Sequence, residues 1–164
     1  VSLEMTAEVW LIKQVGDRLE GLGNPVSLLP ENWPEESANE NQYNNGKWAS
    51  DAVFSPDGKY MYAAARLHNT ITVFEVVFAP NKSTSSESVV AIEGLKLIQR
   101  VPTGLTPRCL CMSECGEFIL IANQHSHEIS SFKRNENDGK MAFVNKLEVP
   151  NAACVKLVRP DRIG

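Results

Sequence analysis

No apolar run in this chain approaches the roughly 20 residues that span a bilayer, so a helical membrane protein is not expected. Nor does a block of Lys and Arg stand apart from the acidic residues. The formal net charge is −4 and the pI about 5.4, and the basic stripe with which a nucleic-acid binder neutralises phosphates is missing. The opening VSLEMTAEVWLIK has no basic segment leading into a continuous apolar one, which makes a cytoplasmic location the simplest expectation. Cysteine is scarce. Of the four, at 109, 111, 115 and 154, three fall in CLCMSEC. There Cys109 and Cys111 share one strand face with one residue between them, unlike the two-to-four-residue gaps of zinc knuckles. They read as buried, inert thiols in a reducing compartment, and no metal is expected.

What is present is a chain of 164 residues, 43% hydrophobic and 22% charged, enough for one ordinary core and one domain. Its organisation lies in a repeat. Residues 55–74, SPDGKYMYAAARLHNTITVF, fall on residues 113–132, SECGEFILIANQHSHEISSF, so that Ser55, Gly58, Ala64, Ile71 and Phe74 meet Ser113, Gly116, Ala122, Ile129 and Phe132. Tyr60 falls on Phe118, Tyr62 on Leu120 and Thr72 on Ser130, so size and polarity track as well. Each copy has a short apolar run, a tight turn at Gly58 or Gly116, a second run, a polar tip and a third run. LKLIQRVPT and AFVNKLEVP supply a fourth. Four antiparallel strands per repeat make a propeller blade. Taking Cys109 and Ala152 as corresponding positions gives a spacing of 43 residues, inside the span of about 40 to 45 for a compact blade.

The fold class expected is therefore all-β. Strands are expected near 8–13, 52–55, 59–65, 71–76, 95–101, 109–112, 117–123, 129–133, 141–149 and 153–158, with LEGLGNPVSLL as a further strand and no helix longer than about two turns. The chain divides into the end of one blade (1–30), a polar connection (31–50) that reads as a rim loop, a blade (51–107), a second blade (108–150) and the first strand of a closing blade (151–164). FAPNKSTSSESVVAIEG reads as a solvated loop joining two strands of the first full blade. This amounts to about two and a half blades, whereas a ring closes with four to eight. Open strand edges would invite self-association.

Antiparallel alternation then sorts the polar residues by face. If the first strand of each blade leaves one face of the disc, the second-to-third tips and the links into each next first strand all lie on that face. Arg66, His68 and Asn69, then Gln124, His125 and Ser126, join Ser50, Asp51, Pro107 and Arg108 around one opening. Concave mouths with a few polar groups are where ligands usually bind. Each residue also has a structural reading. Asp51 could bond a nearby backbone amide, Arg66 and Arg108 could pair with surface acids, and His68, His125 and His127 could be solvated loop residues.

Three strings, ASDAVFSPDGKYMYAAARLHNTITVFEV, VPTGLTPRCLCMSECGEFILIANQHSHEISSFKR and PNAACVKLV, together resemble the seven-bladed propeller lactonases. That family includes bacterial 6-phosphogluconolactonase and the fungal carboxymuconate lactonizing enzyme. VSLLPENWP resembles its Leu-Pro link. By position, Asp51 stands where the family has its acidic site residue, Arg108 where it has the Arg of a Pro-Arg motif, and Arg66 matches the tip Arg, with Ala65 where Asn or Asp is usual. The resemblance implies hydrolysis of a small-molecule sugar lactone with no cofactor and no metal. Asp51 or His68 would activate water, Arg108 would stabilise the carbonyl oxygen, and Arg66, Asn69, Gln124 and His125 would bind substrate. Cyclisation of a carboxylated muconate, or a non-catalytic propeller scaffold, are the alternatives.

Overall fold

The computed structural model describes residues 1–33, 48–79 and 92–158. Within them run β1 (Ser2–Leu3), β2 (Glu8–Val15), β3 (Arg18–Ser27), β4 (Ala49–Phe54), β5 (Tyr60–Ala65), β6 (Thr70–Phe78), β7 (Ile92–Pro102), β8 (Pro107–Met112), β9 (Phe118–Asn123), β10 (Glu128–Arg134) and β11 (Met141–Glu148). They form three antiparallel sheets, β1-β2-β3, β4-β5-β6-β7 and β8-β9-β10-β11. The only helical element among the described residues is a single 3-10 turn, Glu4–Thr6, and no helix there is long and apolar enough to cross a membrane. The fold is all-β and built of propeller blades. Most of the polar connection (34–47) and of the Ser-rich loop (80–91) lies outside the described residues.

Stacking of blades explains why β5, YMYAAA, is buried along its whole length. Successive side chains of a strand point to opposite faces, and here both faces are covered. Met61, Ala63 and Ala65, with Phe74, pack against Val9 and Leu11 of the first sheet and Leu28 just beyond it. Tyr60, Tyr62 and Ala64, with Ile71 and Val73, pack against Leu110, Ile119, Ile121 and Phe132 of the third. A strand sandwiched in this way reads as a continuous apolar run. Burial of side chains such as Phe74 and Ile71 stabilises each interface by about 1.5–3 kcal/mol per residue. The outer strand β11 has only Met141 buried.

Polar contacts fix the blades laterally. Thr72 Oγ1 and Arg100 Nε both donate to Leu28 O at 2.9 Å, and Arg100 Nη2 donates to Leu29 O at 2.8 Å. Tyr62 Oη donates to Gly139 O at 2.7 Å, and Tyr60 Oη to Asn137 O at 2.9 Å. On the face of the SPDG and SECG turns, Arg134 is buried, donates from Nε to Gly116 O at 2.5 Å and places Nη1 3.7 Å from Asp57. Burial pushes the Asp57 carboxyl up, but the Ser55 hydroxyl, the Lys59 amide and Arg134 outweigh it and hold the group below its ordinary range.

Two ends of the chain differ from expectation. β1 and the 3-10 turn supply the end of a second strand and a tip ahead of β2, where the sequence offers no match to the repeat. Residues 153–158, expected as a strand, join no ladder, since the described residues include no second strand for them. Their amides turn to sulfur instead: Val155 N donates to Cys109 Sγ at 3.5 Å and Leu157 N to Cys111 Sγ at 3.3 Å.

Candidate active site

Both inner strands carry a bulge at the same end. In β4 the register passes from Ala49↔Ala65 to Ala52↔Ala63, so Ser50 and Asp51 face a single residue, and in β8 it passes from Pro107↔Asn123 to Cys109↔Ala122, leaving Arg108 unpaired. A bulge re-aims side chains and commonly borders a functional site. The bulges thus hold Ser50, Asp51 and Arg108, all named from the sequence.

The two leading residues have different surroundings. Asp51 takes the Ala52 amide on Oδ1 at 2.9 Å and, across the blade boundary, the Leu110 amide on Oδ2 at 2.8 Å. Ser50 Oγ donates to Pro107 O at 2.6 Å, and Ser2 Oγ to Ser50 O at 3.1 Å, so β1, β4 and β8 are linked in series. The structural reading of Asp51 is thereby realised, while each carboxylate oxygen keeps acceptor capacity. Arg108 is exposed, and among the described residues its guanidinium is bonded to Gln124 Oε1 at 3.1 Å and to no acid. No ion pair joins Arg108 to Asp51.

The link before β8 lies along the tip between β9 and β10. Gln124 N donates to Thr106 O at 3.0 Å and His125 N to Leu105 O at 3.1 Å, while Ser126 Oγ accepts the Leu105 amide at 2.9 Å. A Cβ on Gly104 would run into Ser126, Glu128 and Asn123, so this close approach requires glycine. His125 Nδ1 lies 2.8 Å from Thr106 Oγ1. Asn69, left-handed at φ 56°, receives the Thr106 amide on Oδ1 at 2.8 Å. It therefore positions the link. The topological expectation holds: tips and links share one face. Below them is a buried polar set that sequence reasoning missed. Asn123 Nδ2 donates to Ser130 Oγ at 2.9 Å, and Glu128 receives Lys146 at 2.8 Å.

At the other tip, Arg66 is spoken for. Its Nη2 lies 2.8 Å from Glu4 Oε1, and its guanidinium carbon is 5.5 Å from the Trp48 ring centre. Glu4, Arg66 and Gln124 each stand three residues before a left-handed residue, Ala7, Asn69 or His127, so they hold the same place in successive tips. Nothing in EMT announced Glu4 as the partner. His68 has Nδ1 2.6 Å from Thr70 Oγ1 and its ring edge-on to Trp33 at 4.5 Å. Burial, helped by the Arg100 charge, lowers the imidazole pKa below its ordinary value, so His68 is neutral at pH 7 and able to accept a proton.

The blades also correct one correspondence. Val149 N donates to His127 O, and Asn151 N to His127 Nδ1, as Thr103 N and Thr106 N donate to Asn69 O and Oδ1. Asn151 therefore answers to Thr106, and Cys154, not Ala152, to Cys109. Cys109 in turn holds the place of Asp51, its sulfur accepting the Val155 amide as the carboxylate accepts that of Leu110.

A cavity of about 860 Å3 lies elsewhere, around Cys115, Gly116, Lys133, Arg134 and Asn137 on the opposite face. Its lysines are paired, Lys133 with Glu117 at 3.0 Å and Lys140 with Asp138 at 3.4 Å, and it includes none of the mouth residues. Among the described residues no three His, Cys, Asp or Glu side chains are grouped to hold a metal.

Solved structures share this arrangement of blades. A protein from Lactobacillus plantarum superposes with a TM-score of 0.73 at 22% identity, covering 93% of this chain and 39% of its own. A Bacteroides fragilis protein described as a candidate 6-phosphogluconolactonase gives 0.70 at 22%, with 92% and 36% covered. The periplasmic gluconolactonase of Pseudomonas aeruginosa gives 0.69 at 25%, with 91% and 36% covered. The chain thus spans little more than a third of the length of these relatives. Residues 3–157 match the family described as Lactonase, 7-bladed beta-propeller. The stacked four-stranded blades and this match along nearly the whole chain agree: the chain belongs to the seven-bladed propeller lactonase family.

Proposed function

We propose that the protein carrying this chain hydrolyses a sugar lactone of the 6-phosphogluconolactone type at the mouth formed by the tips and inner-strand links, without a metal. The observation that supports this most is the exposed guanidinium of Arg108, bulged out of β8, free of any acid among the described residues and flanked by Gln124. A fixed cation in such a place suits the oxyanion that forms when water adds to a lactone carbonyl. Asp51, one blade away on the equivalent bulge, or neutral His68 takes the proton from the attacking water. The tetrahedral intermediate then collapses, the ring C–O bond breaks, and the leaving alkoxide recovers that proton to give the open hydroxy acid. His125 and Gln124 bind sugar hydroxyls. Arg66 meets the anionic group of the substrate in exchange for Glu4, and Asn69 holds the link that carries Arg108.

The test is acid release at constant pH from the intact polypeptide mixed with 6-phosphogluconolactone, against the spontaneous rate and with a chelator present. Catalysed release that survives the chelator supports the proposal. Release no faster than in buffer ends it. A carboxylated muconate followed by its ultraviolet absorbance in the same preparation checks the cyclase alternative.

A further inference from the structure

The inner strands carry a second chemistry beside the lactone site. Cys109 Sγ and Cys154 Sγ lie 3.5 Å apart, and both thiols are free. They occupy equivalent places in successive blades, so the contact crosses a blade boundary. Cys109 is buried and further tied to the next inner segment by Val155, whose amide donates to its sulfur at 3.5 Å and whose carbonyl faces it at 3.6 Å. Cys154 is exposed among the described residues. The two sulfurs lack about 1.5 Å of the approach an S–S bond requires. Cys115, also exposed, lies on the SECG turn of the other face, and the sulfur contact it makes is with Ser113.

We infer that Cys109 and Cys154 form a reversible disulfide that joins one blade to the next, made by exchange with a low-molecular-weight disulfide. In the first step the Cys154 thiolate attacks one sulfur of the small disulfide. A mixed disulfide forms and one small thiolate leaves, taking up the proton that Cys154 released. In the second, the Cys109 thiolate attacks Cys154 Sγ and the second small thiolate departs with the proton from Cys109. The protein loses two electrons and two protons, and the small disulfide becomes two thiols. Burial raises the Cys109 thiol pKa, so the second step speeds up with rising pH. Oxidation thereby staples the inner strand carrying Arg108 to the following one, a covalent lock on the mouth in place of a contact between two sulfurs.

The test equilibrates the intact, folded polypeptide with oxidised and reduced glutathione, quenches with acid and maps the products by peptide mass. The expected product is a 109–154 linked peptide two mass units below the reduced pair, with an equilibrium constant at least about tenfold above that of the same chain in 8 M urea. Cys154→Ser should abolish the link yet leave any mixed disulfide at Cys115. A mixed disulfide that persists at Cys154, a Cys154 that stays reduced, or a link no more favourable in the fold than in urea would each overturn the inference.

Discussion

Replacing Asp51 with Asn separates two things that the carboxylate does. Its oxygens accept the Ala52 amide at 2.9 Å and the Leu110 amide at 2.8 Å, the second across a blade boundary. Asn retains one oxygen, and its amide nitrogen must then face an N–H group, donor against donor. One charge-assisted bond is lost, and such bonds contribute about 1.5–3 kcal/mol. Asp51 is only half-buried and water can take over at Ala52, so the lower half of that range is expected, about 1.5–2 kcal/mol. Cys109, the counterpart of Asp51, shows that a thiol accepts at this place, so Asp51→Cys should cost less than Asp51→Ala. Urea unfolding of the intact polypeptide, followed by fluorescence, measures the series. The same variants report on catalysis: if Asp51 takes the proton from water, Asp51→Asn lowers kcat by about 10²–10⁴ while the protein remains folded. An Asn variant as stable as the wild type would refute the tether. One with lowered stability and unchanged kcat would pass the base to His68.

Other outcomes follow from the same geometry. Phe74 is fully buried between the first two sheets, so Phe74→Ala should cost about 3–5 kcal/mol, read as a lower denaturation midpoint; a loss below 1 kcal/mol would contradict the packing described. The His68 pKa is lower in the fold than its ordinary 6.5. Its contribution to stability is therefore whole above about pH 6.5 and lost as pH falls through the lowered value. Denaturation midpoints between pH 7.5 and 5 should fall more steeply for wild type than for His68→Asn. Residues 1–164 expressed alone should self-associate, because Phe143, Val144 and Leu147 of β11 are 57%, 51% and 65% exposed. Sedimentation should show this, and Phe143→Lys with Leu147→Lys should reverse it; a monodisperse wild-type monomer would count against it.

The blades were legible because the repeat is written twice with its turns in place, Gly58 and Gly116 both at positive φ, 69° and 72°. The shared face of the tips followed from strand alternation alone. What the sequence did not reveal depends on strand register and on contacts between segments distant in the chain. The bulges that lift Ser50, Asp51 and Arg108 out of register leave no mark on residue type, since any residue can occupy the extra position. Glu4 meets Arg66 from a tip whose EMT shares nothing with RLH or QHS, so no alignment of repeats points to it. The place of Cys154 was misjudged by two residues because residue type does not set the register there; only the bonds to His127 and Asn69 do. Arg134 is buried against the turns that carry Gly116 and Asp57, a contact that no motif in the sequence marks.

The most direct measurement is kcat and KM of the Arg108→Ala variant of the intact polypeptide on 6-phosphogluconolactone. Arg108 has no acid to neutralise among the described residues and one neutral partner, Gln124, so removing it costs the fold little, while the proposed mechanism loses its oxyanion cation. The account predicts a kcat lower by on the order of a hundredfold or more, with KM changed far less and a denaturation midpoint near that of the wild type. An unchanged kcat would contradict it.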